Sequence, residues 1–110
     1  MDPMALQEKA GQASRLLKSL ANERRLLIMC YLSQGEKSVG ELEPLVGLSQ
    51  SALSQHLARL RREHLVKTRR DAQTIFYTIS SQEAQSVLGM LYALYCADGD
   101  FAQPELLAND

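Results

Sequence analysis

A mainly helical domain carrying one β-hairpin is the fold class this sequence predicts, and three observations predict it. Apolar residues recur at the 3.6-residue helical period from Leu6 to Leu60. The period then falls to two between residues 65 and 79. A helical pattern returns near the end, where the residues from Val87 onward are apolar nearly all round.

Each element follows in order. Leu6, Ala10, Ala13, Leu17 and Leu20 mark the apolar stripe of a first helix that stops near Ala21–Asn22. A second runs from about Glu23 to Ser33, with Leu26, Leu27, Cys30 and Tyr31 facing inward and Gly35 ending it. Ser38-Val39-Gly40-Glu41 has the capping-box pattern, in which the serine hydroxyl and the glutamate carboxylate satisfy each other's backbone amides. It opens a short third helix, Val39 to Val46, which holds an awkward Pro44 and is closed by Gly47. Ser49 is placed to cap a fourth helix, Gln50 to His64. Residues 65–70 and 74–79 ("TIFYTI") are rich in β-branched and aromatic types, and Asp71-Ala72-Gln73 separates them, which predicts a hairpin. Ser80-Ser81-Gln82-Glu83 reads as a second capping box, opening a last helix that extends to about Ala97.

A helix with no polar face needs cover on two sides, and in so small a domain the second cover is another subunit. The predicted order is therefore α-α-α-α-β-β-α in a homodimer. Two helices joined by a tight turn and followed by a twisted hairpin make a winged helix-turn-helix. Residues 1–97 form the domain, with dimerisation through about 5–21 and 81–97, and 98–110 form a C-terminal tail. Only Met1 to Met4 and the residues from Asp98 onward look loosely held.

Composition narrows the function. The net charge of −1 gives no global signature for a polyanion partner. Its distribution does: between Leu48 and Ile79, Arg59, Arg61, Arg62, Lys67, Arg69 and Arg70 outweigh Glu63 and Asp71, a local balance of +4 against −5 elsewhere. The longest apolar run, Val87 to Ala97, is eleven residues and too short to span a bilayer, and no secretory signal is visible at the N-terminus. A cytoplasmic location is expected, where two cysteines are thiols rather than a structural disulfide. No glycine-rich phosphate loop and no clustered carboxylates occur, so there is no catalytic constellation and no cofactor is called for.

On a helical wheel of the fourth helix, Leu53, Leu57 and Leu60 share one side. Ser51, Ser54, Gln55, Ala58 and Arg62 lie opposite, flanked by Gln50 and Arg61. Short donors and acceptors let the first turns approach base edges, and Gln can bond adenine in bidentate fashion. Arginines further along the helix and on the hairpin neutralise phosphates. Double-stranded DNA is the partner this face predicts.

The stretch "LSQSALSQHLARLRREHLVKTRRDAQTIFYTI" resembles the DNA-binding core of the ArsR/SmtB family of bacterial repressors, and the likeness covers about residues 8–97. The resemblance implies a homodimeric winged-helix repressor on an imperfect palindromic operator. Ser49, Gln50, Ser51, Ser54, Gln55 and Arg62 then fall on the DNA-facing side of the recognition helix, Arg70 and Gln73 make wing contacts, and Tyr77 is a packing residue of the wing. The turn "DAQ" departs from the family, which usually has a glycine there. Family metal sites are not matched. Where arsenic and cadmium sensors place paired cysteines, this chain has Glu41-Leu42-Glu43-Pro44-Leu45, and no histidine follows His64 to build the zinc and nickel site of the last helix. No metal is expected. His56 is read as packed or phosphate-facing, and His64 as a C-terminal capping charge of its helix.

Two cysteines remain. Cys30 lies three and four residues after Leu27 and Leu26, a core register, and Cys96 lies near a helix end beside Tyr92 and Tyr95. Spacing alone leaves both readings open, a small buried hydrophobe or an accessible thiol. "RRLLIMCYL" and "LYALYC" resemble the BigR/SqrR/HlyU-like branch of the family, whose members carry one cysteine in each of these helices. That likeness implies a sensor of reactive sulfur species in which Cys30 and Cys96 join within a subunit as a disulfide or polysulfide and DNA affinity falls. The same residues also suit a general peroxide-responsive thiol switch. Dropping the sensing role leaves a winged helix used for constitutive DNA binding or antirepression.

Overall fold

The computed structural model describes residues 2–96, as five helices and three strands among the described residues. Helix α1 (Pro3–Leu20) starts with proline at its first position, where the missing N–H costs nothing. Pro3 and Met4 are thus helical rather than loose, because the α1 stripe continues to its first turn. Ala97 and the expected tail 98–110 lie outside the described residues.

Helix α2 (Glu23–Leu32) is set by Asn22, whose side chain accepts from the backbone N–H of Arg24 and of Arg25 at 3.0 Å each. Its inward face differs from expectation. Ile28, Met29 and Leu32 are fully enclosed, whereas Leu26, Leu27, Cys30 and Tyr31 lie toward the other side and are half-buried against the core. The helix is apolar on both sides, and periodicity cannot rank two apolar faces by depth.

Gln34 to Glu36 lead into a strand that the sequence did not announce, β1 (Lys37–Ser38). Ser38 then caps α3 (Val39–Val46) as predicted: its Oγ accepts from Glu41 N at 3.2 Å, and its own N–H donates to Glu41 Oε1 at 2.8 Å. Pro44 is tolerated because it and Gly40, whose carbonyl loses a donor, are both at the surface. Gly47, at φ 75°, turns the chain sharply, and Ser49 caps α4 (Gln50–Arg62) by accepting from Ala52 N at 3.2 Å.

The end of α4 is a Schellman closure. His64 N–H donates to Arg61 O at 3.0 Å and Leu65 N–H to Leu60 O at 2.9 Å, with His64 in the left-handed region at φ 61°. His64 therefore terminates the helix through its backbone, and α4 stops at Arg62 rather than at the expected His64. Strands β2 (Val66–Asp71) and β3 (Thr74–Ile79) pair from Val66↔Ile79 to Asp71↔Thr74, so Ala72 and Gln73 alone form the turn, and Ala72 takes φ 57°. β1 adds to the other edge of β3, Lys37 opposite Tyr77 and Ser38 opposite Phe76, giving the order β1-β3-β2.

Helix α5 (Gln82–Tyr95) begins one residue later than the predicted capping box requires. Ser81 is the cap, accepting from Ala84 N at 3.0 Å, and the Ser80 hydroxyl instead donates to His64 O at 3.1 Å. That bond ties the α4 closure to the start of α5, which is why Ser80 is not free to cap. The core lies where the α4 stripe (Leu53, Leu57, Leu60) meets Ile28, Leu42 and Leu88, each at most 2 % exposed. Burial of each such side chain contributes about 1.5–3 kcal/mol. Outside it, α1 leaves Met4, Leu6 and Leu17 exposed, and α5 leaves Met90, Leu94 and Tyr95 exposed.

Candidate nucleic-acid interface and thiol pair

The α4 stripe of leucines holds the helix by one side, so its other side is presented whole. Gln50, Ser51, Ser54, Gln55, Ala58, Arg61 and Arg62 are all exposed. The first turns carry only short uncharged polar groups, and the last turn carries Arg59, Arg61 and Arg62 with no acid in the first turn. Ser49 is exposed too, but its oxygen already accepts the Ala52 amide, leaving its hydroxyl proton and one lone pair for an outside partner. On the wing, Arg70 and Gln73 are exposed, Arg70 opposite Ile75 in β3 and Gln73 in the turn. Tyr77 is half-buried against the core.

Arg69 does not contribute freely to the positive wing. Its Nε and Nη2 donate to the two carboxylate oxygens of Glu36, and its guanidinium stacks over Phe76. This pair holds the Glu36 carboxyl below its ordinary value and raises Arg69. The local positive balance read from the sequence is reduced accordingly.

Two arginines of α2 that the sequence reading did not single out tie helices together. Arg24 Nη1 donates to Val46 O at 2.8 Å, closing the end of α3. Arg25 Nε donates to Ser19 O at 2.6 Å and Nη2 to Lys18 O at 3.3 Å, satisfying the carbonyl end of α1. Arg25 is only 8 % exposed, and its neighbours His56 and Arg59 come from α4. The His56–Arg59 spacing was a readable signal, since residues three apart share a helix side. Arg25's arrival from α2 had none.

Cys30 and Cys96 are both free, both half-buried and both packed against the same core. Cys96 is the C-cap of α5, its N–H donating to Tyr92 O at 2.8 Å. The Cys30 carbonyl accepts from Ser33 Oγ at 2.5 Å. Burial pushes the Cys30 thiol up, and the Cys96 charge pushes it further. Among the described residues no group of three or more His, Cys, Asp or Glu side chains could hold a metal ion. No helix among them is long and apolar enough to cross a membrane.

A polar, cation-ended recognition helix beside a basic hairpin defines a winged helix-turn-helix regulator that binds DNA. Comparison with known proteins carries this further. The family described as "Bacterial regulatory protein, arsR family" matches residues 22–68. The chain is 57 % identical over 97 residues to the transcriptional activator HlyU of Vibrio cholerae, covering 86 % of this chain and 90 % of that one. The structure of reduced HlyU superposes with a TM-score of 0.81 at 54 % identity, over 84 % of this chain and 97 % of that one. The biofilm growth-associated repressor of Agrobacterium fabrum is 44 % identical over 93 residues, 84 % of this chain and 80 % of its own. A homodimeric winged helix-turn-helix DNA-binding domain from Mycobacterium bovis shares the fold at TM-score 0.72 and 30 % identity, covering 89 % of this chain and 87 % of that one. The chain belongs to the arsR family of bacterial regulatory proteins, and it is a transcription regulator rather than an enzyme.

Proposed function

We propose that this regulator is a homodimeric repressor, acting in the cytoplasm, that leaves its operator when reactive sulfur joins Cys30 to Cys96. The observation that carries the reading is the pairing of those two half-buried thiols against one core, one on α2 and one capping α5. The dimer is formed by the exposed apolar residues of α1 and α5, within about 5–21 and 81–97, among them Leu6, Leu17, Met90 and Leu94. A relative of the same fold is described as homodimeric, and HlyU has a structure described as its reduced form.

Two copies of α4 then offer Gln50, Ser51, Ser54 and Gln55 to base edges of the two halves of an imperfect palindrome. Ser49 and Arg62, with Arg70 and Gln73 of the wing, meet the adjoining backbone. A hydropersulfide, R–S–SH, passes its outer sulfur to a cysteine thiolate and leaves as the thiol R–SH. Once both cysteines are loaded, the terminal sulfur of one attacks the inner sulfur of the other. Hydrogen sulfide is expelled and Cys30–S–S–S–Cys96 remains. The sulfane sulfur is the oxidant and ends as sulfide. A plain disulfide needs Cα atoms within about 7 Å, and each inserted sulfur adds about 2 Å of reach, judged from the S–S bond length.

The link fastens α2 to the dimer-forming α5. It changes the separation of the two α4 helices, which must match a helical turn of about 34 Å. A coupling of about 1–3 kcal/mol lowers affinity 5–150-fold.

The test is intact-protein mass spectrometry with operator-binding anisotropy after persulfide or peroxide treatment, on wild type and Cys30→Ser. The expected outcome is an added-sulfur crosslink and loss of binding with persulfide only, absent in Cys30→Ser. Equal plain disulfide from both oxidants identifies a general thiol switch instead. An unchanged response in Cys30→Ser leaves a regulator that does not sense through this pair.

A further inference from the structure

One flank of α4 carries a depression lined by Arg25, Gln55, His56, Ala58, Arg59 and Arg62. Among the described residues no carboxylate lines it. Arg25 reaches it from α2 already anchored, with Nε on Ser19 O and Nη2 on Lys18 O, while its Nη1 makes no hydrogen bond to the described residues. Arg59, Arg62 and His56 line it from α4. Like charges gathered in a concave place without acidic partners repel one another, and the arrangement is relieved by an anion. Burial first, and Arg25 after it, lower the His56 imidazole, and burial followed by Arg59 lowers Arg25, the direction expected where cations gather.

We propose that this depression is a phosphate pocket for the DNA backbone beside the base-reading face, and that His56 takes up a proton when a phosphate enters it. The inference rests on the DNA-binding reading given above and adds to it a site and a proton. Gln55 belongs both to the exposed face of α4 and to the pocket lining, so the two surfaces are continuous. A duplex whose bases face Ser51 and Gln55 brings its backbone to the flank of the same helix. Arg25, held by the end of α1, supplies a fixed donor whose order is already established before DNA arrives. The charged and titratable groups facing His56 are Arg25 from α2 and Arg59 and Arg62 from its own helix. All three are cations, and burial together with Arg25 holds the imidazole below its ordinary value, so the neutral form is favoured in the free protein. A phosphate reverses the sign of its surroundings and favours the imidazolium.

Proton uptake on binding fixes the direction of the pH response. Affinity rises as pH falls, by up to about tenfold per pH unit for each histidine, or about a hundredfold for the two of a dimer, between the free and bound values. The experiment is anisotropy titration of the reduced full-length chain with operator and with a scrambled duplex, between about pH 5.5 and 7.5 and across a salt series. Wild type is expected to tighten toward acid pH on both duplexes, because phosphate is common to both. His56→Gln removes that response, while His64→Gln, at the only other histidine, keeps it. Arg59→Gln is expected to flatten the plot of log affinity against log salt by about one unit of slope per protomer, or about two for the dimer. An unchanged pH response in His56→Gln, a response confined to the operator, or an unchanged slope in Arg59→Gln overturns the pocket while leaving the DNA-binding reading intact. Failure of the wild type to bind either duplex at any pH overturns both.

Discussion

Arg69 grips Glu36 at two points, with Nε 2.7 Å from one carboxylate oxygen and Nη2 2.6 Å from the other. The grip joins β2 of the wing to the residue just before β1, across the sheet, and Phe76 supports it from below at 4.5 Å. Arg69 is therefore a wing-bracing residue whose charge is matched before DNA arrives.

Removing that match should change DNA binding without touching a base contact. In Glu36→Gln, Arg69 is released toward the duplex, and the salt dependence of binding is expected to steepen by up to about one unit of slope per protomer, or about two for the dimer. The measurement is the same log–log salt plot. The Glu36 carboxyl is lowered, so in wild type the pair persists at neutral pH and is lost only as pH falls below the ordinary carboxylate range. The Glu36→Gln phenotype should emerge in wild type at that acid limit.

The two ends of α4 should fail differently. Ser51→Ala and Gln55→Ala are each expected to cost about 1–3 kcal/mol on the operator, with little change on scrambled DNA. Arg62→Ala should weaken both duplexes alike and lower the salt slope by about one per protomer, or about two for the dimer. A uniform loss from Ser51→Ala and Gln55→Ala would move base reading elsewhere.

Thiol reactivity carries a sign that follows from burial. The folded Cys30 value is raised, so the neutral thiol is the form the fold favours. Its alkylation by iodoacetamide, followed peptide by peptide, should increase about tenfold per pH unit, with a midpoint above the ordinary value of about 8.5. Cys96→Ser removes the second cause and should bring the Cys30 midpoint down part of the way, leaving the burial contribution. The same linkage means that the stability owed to Cys30 is complete below the ordinary thiol range and is lost as pH rises through the raised value.

The α4 closure predicts a ranking by thermal denaturation. His64 sits at φ 61° in a position where glycine is the usual occupant. The left-handed conformation costs a side chain about 1–2 kcal/mol, and glycine's greater freedom when unfolded returns about 0.4–1 kcal/mol of that. His64→Gly should be equal to or slightly more stable than wild type. His64→Val should be less stable by about 1–2 kcal/mol, or a Tm lower by about 4–8 °C per kcal/mol.

Helix starts and stops were legible wherever a residue type does one job. Asn22, Ser38, Gly47 and Ser49 each signal a boundary that the coordinates reproduce. The leucine stripe of α4 fixed which of its sides would be outward, and every residue placed there is exposed. Competition between equivalent candidates was not legible. Ser80 and Ser81 both suit an N-cap, and a bond from Ser80 to a carbonyl sixteen residues earlier decides between them. α2 is apolar on both sides, so neighbours rather than period set its depth. β1, at two residues, has no pattern of its own and exists because β3 leaves an edge for it. Arg25 reads as a solvated surface charge until α1 and α4 are in place around it.

Ser38 belongs at once to the sheet, opposite Phe76, and to α3, as its cap. The wing and the helix-turn-helix are consequently one solid piece, with no slack at the joint between them. The sulfur link proposed between Cys30 and Cys96 would swing that piece or shift it, but would not unfasten tip from helix. An isolated half-operator should accordingly be held equally well before and after induction, and what vanishes is the bonus for engaging both halves together.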